Sequence, residues 1–399
     1  MNNRKLSIVL ATSEPEVASR MLKSIREKLP SYSIFVSVLF IGQDTKVDIN
    51  TFPLPVTSIG TYKEYLSIAD SRNICQLHLQ EMMKEVGGIG MVLDDDLKWV
   101  MPEVEFSALC DQLVDQDCDM AFCAIEGDAP VPKEYTRASP LLDVLLAVAS
   151  TNHSLSDLNK YIRSVSTSLS LINDPYKHHD FYSFNKNNFK REGLILSNIN
   201  WDEFIGRLFY GKVTTREIVT PKVISEATGR ERGGATIIFN SASLDFKNRS
   251  YDFFGINSRR SDMLMATDAH NSGLRLFNTP AVFKHNRVES FDSHDNRKLL
   301  GDILGYALIE SYKFRESYSL KFDTCLFDRI QKTSEILLET SKMLTILSQW
   351  LQDTNSLSDF SIDAINSILK ENKESLDVLH ELDIASISIS DLEQAELCA

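Results

Sequence analysis

Gly87-Gly88-Ile89-Gly90-Met91-Val92-Leu93-Asp94-Asp95-Asp96 is the stretch that decides how this chain is read. A short apolar run stops abruptly in three consecutive carboxylates. Met91, Val92 and Leu93 have the character of a buried strand, and the acids stand where that strand leaves its sheet. In open α/β sheets the carboxyl ends of the strands form the edge where ligands bind. Three adjacent like charges repel, so a fold that keeps them together ordinarily supplies a cation. Hard divalent ions such as Mg²⁺ and Mn²⁺ favour oxygen ligands, and Mg²⁺ commonly binds through one or two carboxylates plus substrate phosphates. A solvated acidic turn is the alternative reading.

Working outward, the flanking sequence alternates strand and helix. Leu6 to Ala11 is an apolar strand. Glu14 to Leu29 carries Val17, Met21, Leu22, Ile25 and Leu29 at helical spacing. Ser33 to Ile41 is β-branched and aromatic, closed by a turn at Gly42, and Pro55 to Ile59 is a short third strand. Tyr62 to Val86 reads as a helix with Ile68, Ile74, Leu77, Leu79 and Met83 in its core face. Beyond the acids comes another strand, Met120 to Ile125. This βαβ order predicts a mostly parallel sheet with helices on both faces.

From Pro140 to about Tyr210 the pattern weakens. Leu141 to Val148 and Ser154 to Ser170 read as helices, and Asn173 to Asp180 as a polar turn. The adjacent His178 and His179 do not read as a metal pair, because neighbours in sequence point apart on a helix or strand. Regular pattern returns at Gly233 to Asn240, where two glycines precede a strand. After about Ser293 the chain is Leu/Ile-rich and nearly free of Gly and Pro. Leu299 to Tyr312, Cys325 to Leu351 and Ile362 to Leu382 read as amphipathic helices, and Ile384 to Ala399 as a frayed end. The domain reading is therefore residues 1–292 as an α/β domain with an insertion at about 130–230, followed by a helical region at 293–399.

Bulk properties bound the function. The 399 residues allow roughly two or three domains. A net charge of −14 argues against a broad electrostatic grip on nucleic acid or an anionic membrane. No apolar run is long enough to predict a membrane span. The N-terminal apolar stretch ends too soon, at Thr12-Ser13-Glu14, for a signal peptide. The six cysteines are scattered, which points to reduced thiols and a cytoplasmic location.

Three segments in order resemble the GT-A glycosyltransferases. Ala69-Asp70-Ser71-Arg72-Asn73, followed about twenty residues later by Leu93-Asp94-Asp95-Asp96, is similar to that family's Arg-Asn and Asp-x-Asp arrangement. The resemblance implies that Asp94 and Asp96 bind Mn²⁺ or Mg²⁺, and that Arg72, Asn73 and Asp95 contact a nucleotide-sugar donor. Gly233-Gly234 resembles the glycine-containing loop beside donor and acceptor, which makes both glycines donor-binding candidates. Ser261-Asp262-Met263 looks like a degenerate form of the family's acidic motif, so Asp262 is the implied catalytic base. His285 falls where the family places a late histidine that completes the metal site. The resemblance covers residues 5 to 290. It departs at Ser261, where an acid is usual, in the long segment between Ile125 and Gly233, and in the helical tail.

The residues by themselves leave alternatives open. His285 is also a plain histidine in a basic loop beside Lys284 and Arg287. Asp262 is also a helix N-cap or first-turn acid. Arg72 suits either the acidic cluster or a diphosphate, and could equally be a surface arginine. Arg259-Arg260 read as solvated. The expected function is metal-dependent transfer of a sugar from a nucleotide-sugar donor to an unknown acceptor. The alternatives are a non-catalytic module that binds partners through the helical region, or a nucleotidyltransferase. The amphipathic tail, with Leu337, Leu338, Leu344, Leu347 and Leu351, is expected to pack on its own chain or on a second copy.

Overall fold

The computed structural model describes residues 4–43, 47–64, 66–150, 198–215, 218, 220–231, 236–240, 242–253, 255–287, 294–311, 318–354 and 356–382. The chain divides into two compact units. Among the described residues, one is built from 1–126 and 220–286, and the other from 127–219 and 287–389.

The first unit is α/β. Its strands are β1 (Lys5–Thr12), β2 (Ser33–Ile41), β3 (Val56–Tyr62), β4 (Ile89–Asp94), β5 (Leu97–Trp99), β6 (Met120–Gly127), β7 (Ser225–Glu226), β8 (Thr236–Phe239), β9 (Asp252–Phe253), β10 (Ile256–Asn257) and β11 (Leu276–His285). The main sheet runs β3-β2-β1-β4-β8-β6-β11-β5, with β7 paired to β11, and β9 and β10 form a separate hairpin. The block β3-β2-β1-β4 is parallel. β8 lies antiparallel between β4 and β6, so β6 points the same way as the parallel block.

The helices of this unit are α1 (Pro15–Lys28), α2 (Ile68–Val86), α3 (Glu103–Asp115) and α6 (Ser261–Asn271), numbered with the helices of the second unit counted in chain order. Successive strand residues point to opposite faces. Leu6, Ile8 and Leu10 of β1 therefore pack with Met21, Leu22 and Ile25 of α1 and with Phe106 and Leu113 of α3. Val9 packs on the other face with Leu79 of α2 and Met265 and Ala269 of α6. Both faces are covered, as the alternation predicts.

Local chemistry sets the elements that carry the acids. Ser67 caps α2, its hydroxyl accepting from the Asp70 N–H while it donates to the Asp70 carboxylate at 2.6 Å. At the other end Gly87 and Gly88 both have positive φ, +70° and +93°. A Cβ on Gly88 would lie 2.5 Å from the Lys5 carbonyl oxygen, so the tight entry into β4 requires glycine there. After the acids, Trp99 anchors β5. It is fully buried, with T-shaped contacts at 4.7 Å to Phe106 and 5.0 Å to Phe283, and its indole N–H donates to the Met101 carbonyl. Truncating a buried Trp typically costs about 3–5 kcal/mol, which indicates how firmly the strand beneath the acid turn is held.

The second unit is helical among its described residues: α4 (Lys133–Ser150), α5 (Trp201–Tyr210), α7 (Asn296–Ser311), α8 (Tyr318–Asp353) and α9 (Asp359–Glu381). Leu141, Leu142 and Leu145 of α4 and Phe204, Ile205 and Leu208 of α5 share one core with Leu344, Leu347 and Leu351 of α8 and Ile365 and Ile368 of α9. The segment read as an insertion and the segment read as a helical tail thus belong to one unit, divided from the α/β unit near Glu126 and Asn286 rather than at residue 292 alone. The cause is apolar: neither pair of helices could cover its stripe without the other.

Several local expectations are corrected. Tyr62 ends β3, and the helix starts only at Ile68, because Ser67 supplies the cap. Ile68 and Leu77 are exposed rather than core. Leu338 is exposed, while Leu337, Leu344, Leu347 and Leu351 are buried. α4 begins at Lys133, seven residues before Pro140, which sits inside the helix. The helix expected at 154–170, the turn at 173–180 with His178 and His179, Gly233, Gly234 and the end from 384 lie outside the described residues. No helix among the described residues is long and apolar enough to cross a membrane. Cys75, Cys110, Cys118, Cys123 and Cys325 are free thiols.

Candidate functional site

The acid turn sits at the carboxyl edge of the parallel block. Asp94 is the last residue of β4, and Asp95 and Asp96 form the turn into β5. Each acid has a different partner. The Arg72 guanidinium, projecting from α2, lies 3.3 Å and 3.4 Å from the two Asp94 oxygens. The Thr12 hydroxyl donates to Asp95 at 2.5 Å. His285 Nε2 lies 3.2 Å from an Asp96 oxygen.

Strand register explains two of these meetings. β1 and β4 are parallel with Ala11 opposite Asp94, so Thr12 comes level with Asp95. β5 and β11 are antiparallel with Leu97 opposite His285, so the imidazole arrives beside Asp96 although the two residues are 189 apart in sequence. The ring is nearly buried, with 9% of its side chain exposed, which removes the surface-loop reading of His285.

Asp262 is the second residue of α6 and is buried. Arg260, just before the helix, adopts φ +74°, a left-handed conformation unusual for a residue with a side chain. Such backbone strain persists only where surrounding structure over-determines it. Asp262 lies close enough to Asp94 to raise its carboxyl by like-charge repulsion.

The carboxylates of the edge act on one another. Asp94 keeps about half its side chain open (51%) yet is ringed by protein. Lost hydration is the largest influence and raises its carboxyl, Arg72 opposes this, and Asp96 and Asp262 add to the rise. Asp95 is pushed up to about 6, first by burial and then by its two acidic neighbours, against the hydrogen bond from Thr12. A divalent ion would relieve such crowding. The oxygen and imidazole donors of Asp94, Asp96 and His285 suit Mn²⁺ or Mg²⁺. In this structure Asp96 and His285 are together, while Asp94 is turned to Arg72, whose buried Nε has no hydrogen-bond partner.

Asn73 is occupied differently. Its side-chain amide donates to the Asn248 carbonyl and accepts from the Asn248 N–H, both at 2.8 Å. Asn248 also reaches Gln76, which donates to the Phe246 carbonyl. Asn73 thus fastens α2 to the segment before β9. Residue type in the sequence marks neither Thr12 nor Asn248, the partner of Asn73. The signal for Thr12 was positional, since the ends of adjacent parallel strands share one edge.

A second cluster lies in the helical unit. Glu134, His294 and Glu371 place ligand-type atoms within 4.8 Å of one another, and among the described residues they form the one such set of three. His294 Nδ1 lies 3.4 Å from Glu134, and its Nε2 is 3.0 Å from Ser375 Oγ. Glu371 holds two cations, Lys133 at 2.6 Å and Arg137 at 2.8 Å. Burial raises the Glu371 carboxyl, but Arg137 and Lys133 together outweigh it and hold the group below its ordinary value. Arg137, fully buried, also donates to the Leu208 and Phe209 carbonyls at the end of α5. This cluster carries its own counter-charge.

No family model matches the chain, and no curated protein matches it. Solved structures to which it is similar include S. aureus TarS 1-349 in complex with UDP-GlcNAc, at 12% identity and TM-score 0.38, covering 95% of this chain and 90% of that one. The longer S. aureus TarS structure gives 12% identity and TM-score 0.36, covering 94% and 55%. Mannosyltransferase PcManGT from Pyrobaculum calidifontis in complex with GDP-Man and Mn²⁺ gives 12% identity and TM-score 0.38, covering 94% and 88%.

Proposed function

We propose that the chain is a metal-dependent glycosyltransferase of the GT-A type, moving a sugar from a nucleotide-sugar donor to an acceptor not yet identified. The observation that carries this reading is the crowding of carboxylates at the end of β4. Asp94, Asp95, Asp96 and Asp262 converge there electrostatically, with Arg72 as the cation paired to Asp94. In this reading Asp94, Asp96 and His285 hold Mn²⁺ or Mg²⁺. Such an ion supplies Lewis-acid stabilisation to a departing diphosphate. Arg72 is placed to exchange Asp94 for a diphosphate oxygen, a partner its planar fork also suits.

Asp262 is the proposed base, taking the proton from an acceptor hydroxyl in an inverting transfer. It stands on the second residue of α6, at the electropositive end of that helix. Asp95 and Asn73 serve the site through Thr12 and Asn248, and Gly233 and Gly234 keep the donor-loop role that their resemblance implies.

Thermal melting with Mn²⁺ and a panel of UDP, GDP, UDP-GlcNAc and GDP-Man tests binding, because a ligand of the native state raises apparent stability by mass action. Donor hydrolysis tests chemistry. Asp262→Asn is expected to remove most turnover and keep the melting shift. Binding of Mn²⁺ and nucleotide without turnover of any sugar donor would return the molecule to the non-catalytic reading. Release of pyrophosphate from a nucleoside triphosphate would make it a nucleotidyltransferase.

A further inference from the structure

We infer that Thr12 is a positioning residue for the acid turn: its hydroxyl latches Asp95 to the loop after β1 and so leaves Asp94 and Asp96 as the ion-binding pair. The inference rests on the metal-site reading above for its second half only.

Thr12 is buried, with 2% of its surface exposed, so its hydroxyl must find partners within the protein. A hydroxyl has one proton to donate and lone pairs to accept with. The Glu14 N–H donates to Thr12 Oγ1 at 2.9 Å, and the single Thr12 proton goes to Asp95 Oδ2 at 2.5 Å. Glu14 stands immediately before α1. The middle acid of the triplet is therefore tied, through one side chain, to the start of a helix. A hydrogen bond to a carboxylate is a stronger tie than one between neutral groups.

The consequence concerns which acids are available. Asp95 sits in a turn between β4 and β5, where backbone rotation could bring any of the three carboxylates toward an ion. With Asp95 held by Thr12, the flanking acids are set toward Arg72 on one side and His285 on the other. A serine hydroxyl could make the same bonds, and a valine could not, although valine has the same shape.

The experiment compares Thr12→Val, Thr12→Ser, Asp95→Asn and Asp96→Asn in the full chain. Two readouts are used: Mn²⁺ titration followed by the electron spin resonance of free Mn²⁺, and amide hydrogen exchange of the metal-free protein. Groups that orient metal ligands typically contribute about 10- to 100-fold in metal affinity. Thr12→Val should weaken Mn²⁺ binding by roughly that factor and speed exchange at Glu14 and across residues 94–97. Thr12→Ser should restore both. Asp95→Asn, which keeps an oxygen for Thr12 to donate to, should bind Mn²⁺ far better than Asp96→Asn. Unchanged exchange in Thr12→Val overturns the latch. Equal loss of Mn²⁺ in Asp95→Asn and Asp96→Asn makes Asp95 a ligand and overturns the pairing. A wild-type chain that binds no Mn²⁺, yet shows faster exchange in Thr12→Val, upholds the latch and overturns the metal-site reading itself.

Discussion

Two clusters in this molecule gather acids beside a histidine, and they behave in opposite ways. In the helical unit Glu371 is met by Lys133 and Arg137, and its carboxyl is held below the ordinary value. At the end of β4, Asp94 is met by Arg72, but burial first, and then Asp96 and Asp262, raise its carboxyl. Convergence of ligand-type atoms is tighter in the first cluster. Raised carboxyls with acidic neighbours mark the second. Proximity with counter-charge builds structure, because a neutralised buried network needs nothing more. Crowded carboxylates at an open strand edge leave a demand that a cation can meet.

The largest effect should come from removing residues 293–399. The apolar faces of Leu141, Leu142 and Leu145 and of Phe204 and Leu208 would lose their cover on α8 and α9. The truncated chain is expected to aggregate, as large exposed apolar patches do. Light scattering would show it, and a soluble truncated monomer of equal heat stability would mean that the helical unit is not held together in this way.

Next in size is Asp96→Asn, expected to remove Mn²⁺-dependent nucleotide binding measured by calorimetry while the melting temperature without metal is kept. Glu371→Gln is the matched control. If Glu371→Gln lowered Mn²⁺ binding as much as Asp96→Asn, the contrast between the clusters would fail.

Glu371→Gln should act on stability instead. Removing one partner of a buried pair leaves the other uncompensated, at a cost of about 3–5 kcal/mol, and Arg137 is fully buried. Urea unfolding would read this as a lower midpoint at unchanged slope. A midpoint equal to wild type would show that the Lys133–Glu371–Arg137 cluster contributes no net stability.

The smallest effect is a pH dependence of opposite sign in the two clusters. The folded value of Glu371 lies below its ordinary 4.5, so the folded chain binds that proton less tightly than the unfolded chain. Its stabilisation is complete above 4.5 and is lost as pH falls through the lowered value. Asp95 titrates in the metal-free fold at about 6, above its ordinary 3.8. Its ionised form therefore carries a penalty that is complete above about 6 and fades as pH falls toward 3.8. Between pH 7 and 5 the metal-free α/β unit should gain stability, and Asp95→Asn should flatten that gain. Below about pH 4.5 the helical unit should lose stability. Hydrogen exchange resolved by segment would separate the two trends.

Much of the α/β unit was legible before any coordinates. Ser33 to Ile41 is a strand over that full range, and α1 differs from its reading by a residue at each end, because period-2 and period-3.6 patterns are written locally. The failures were local as well. Ile68 and Leu77 carry apolar side chains at plausible helical spacing, yet they face solvent because α2 packs on the sheet through Cys75 and Leu79. The start of α4 was missed because Pro140 reads as a breaker, while the buried packing of Leu141, Leu142 and Leu145 carries the helix through it.

By itself the sequence determined the alternating elements, the acids at a strand's end and the helical character of the described residues between 296 and 381, since each depends on neighbours within a few turns of chain. Tertiary structure alone decided which acid meets which partner. Thr12 reaches Asp95 through the β1–β4 register, and His285 reaches Asp96 through the β11–β5 register. It also decided that β8 would run antiparallel between two parallel neighbours, and that residues 127–219 would share a unit with 287–389. These outcomes turn on strand pairing and apolar cover between segments 83 or more residues apart, and a local pattern holds no record of such partners.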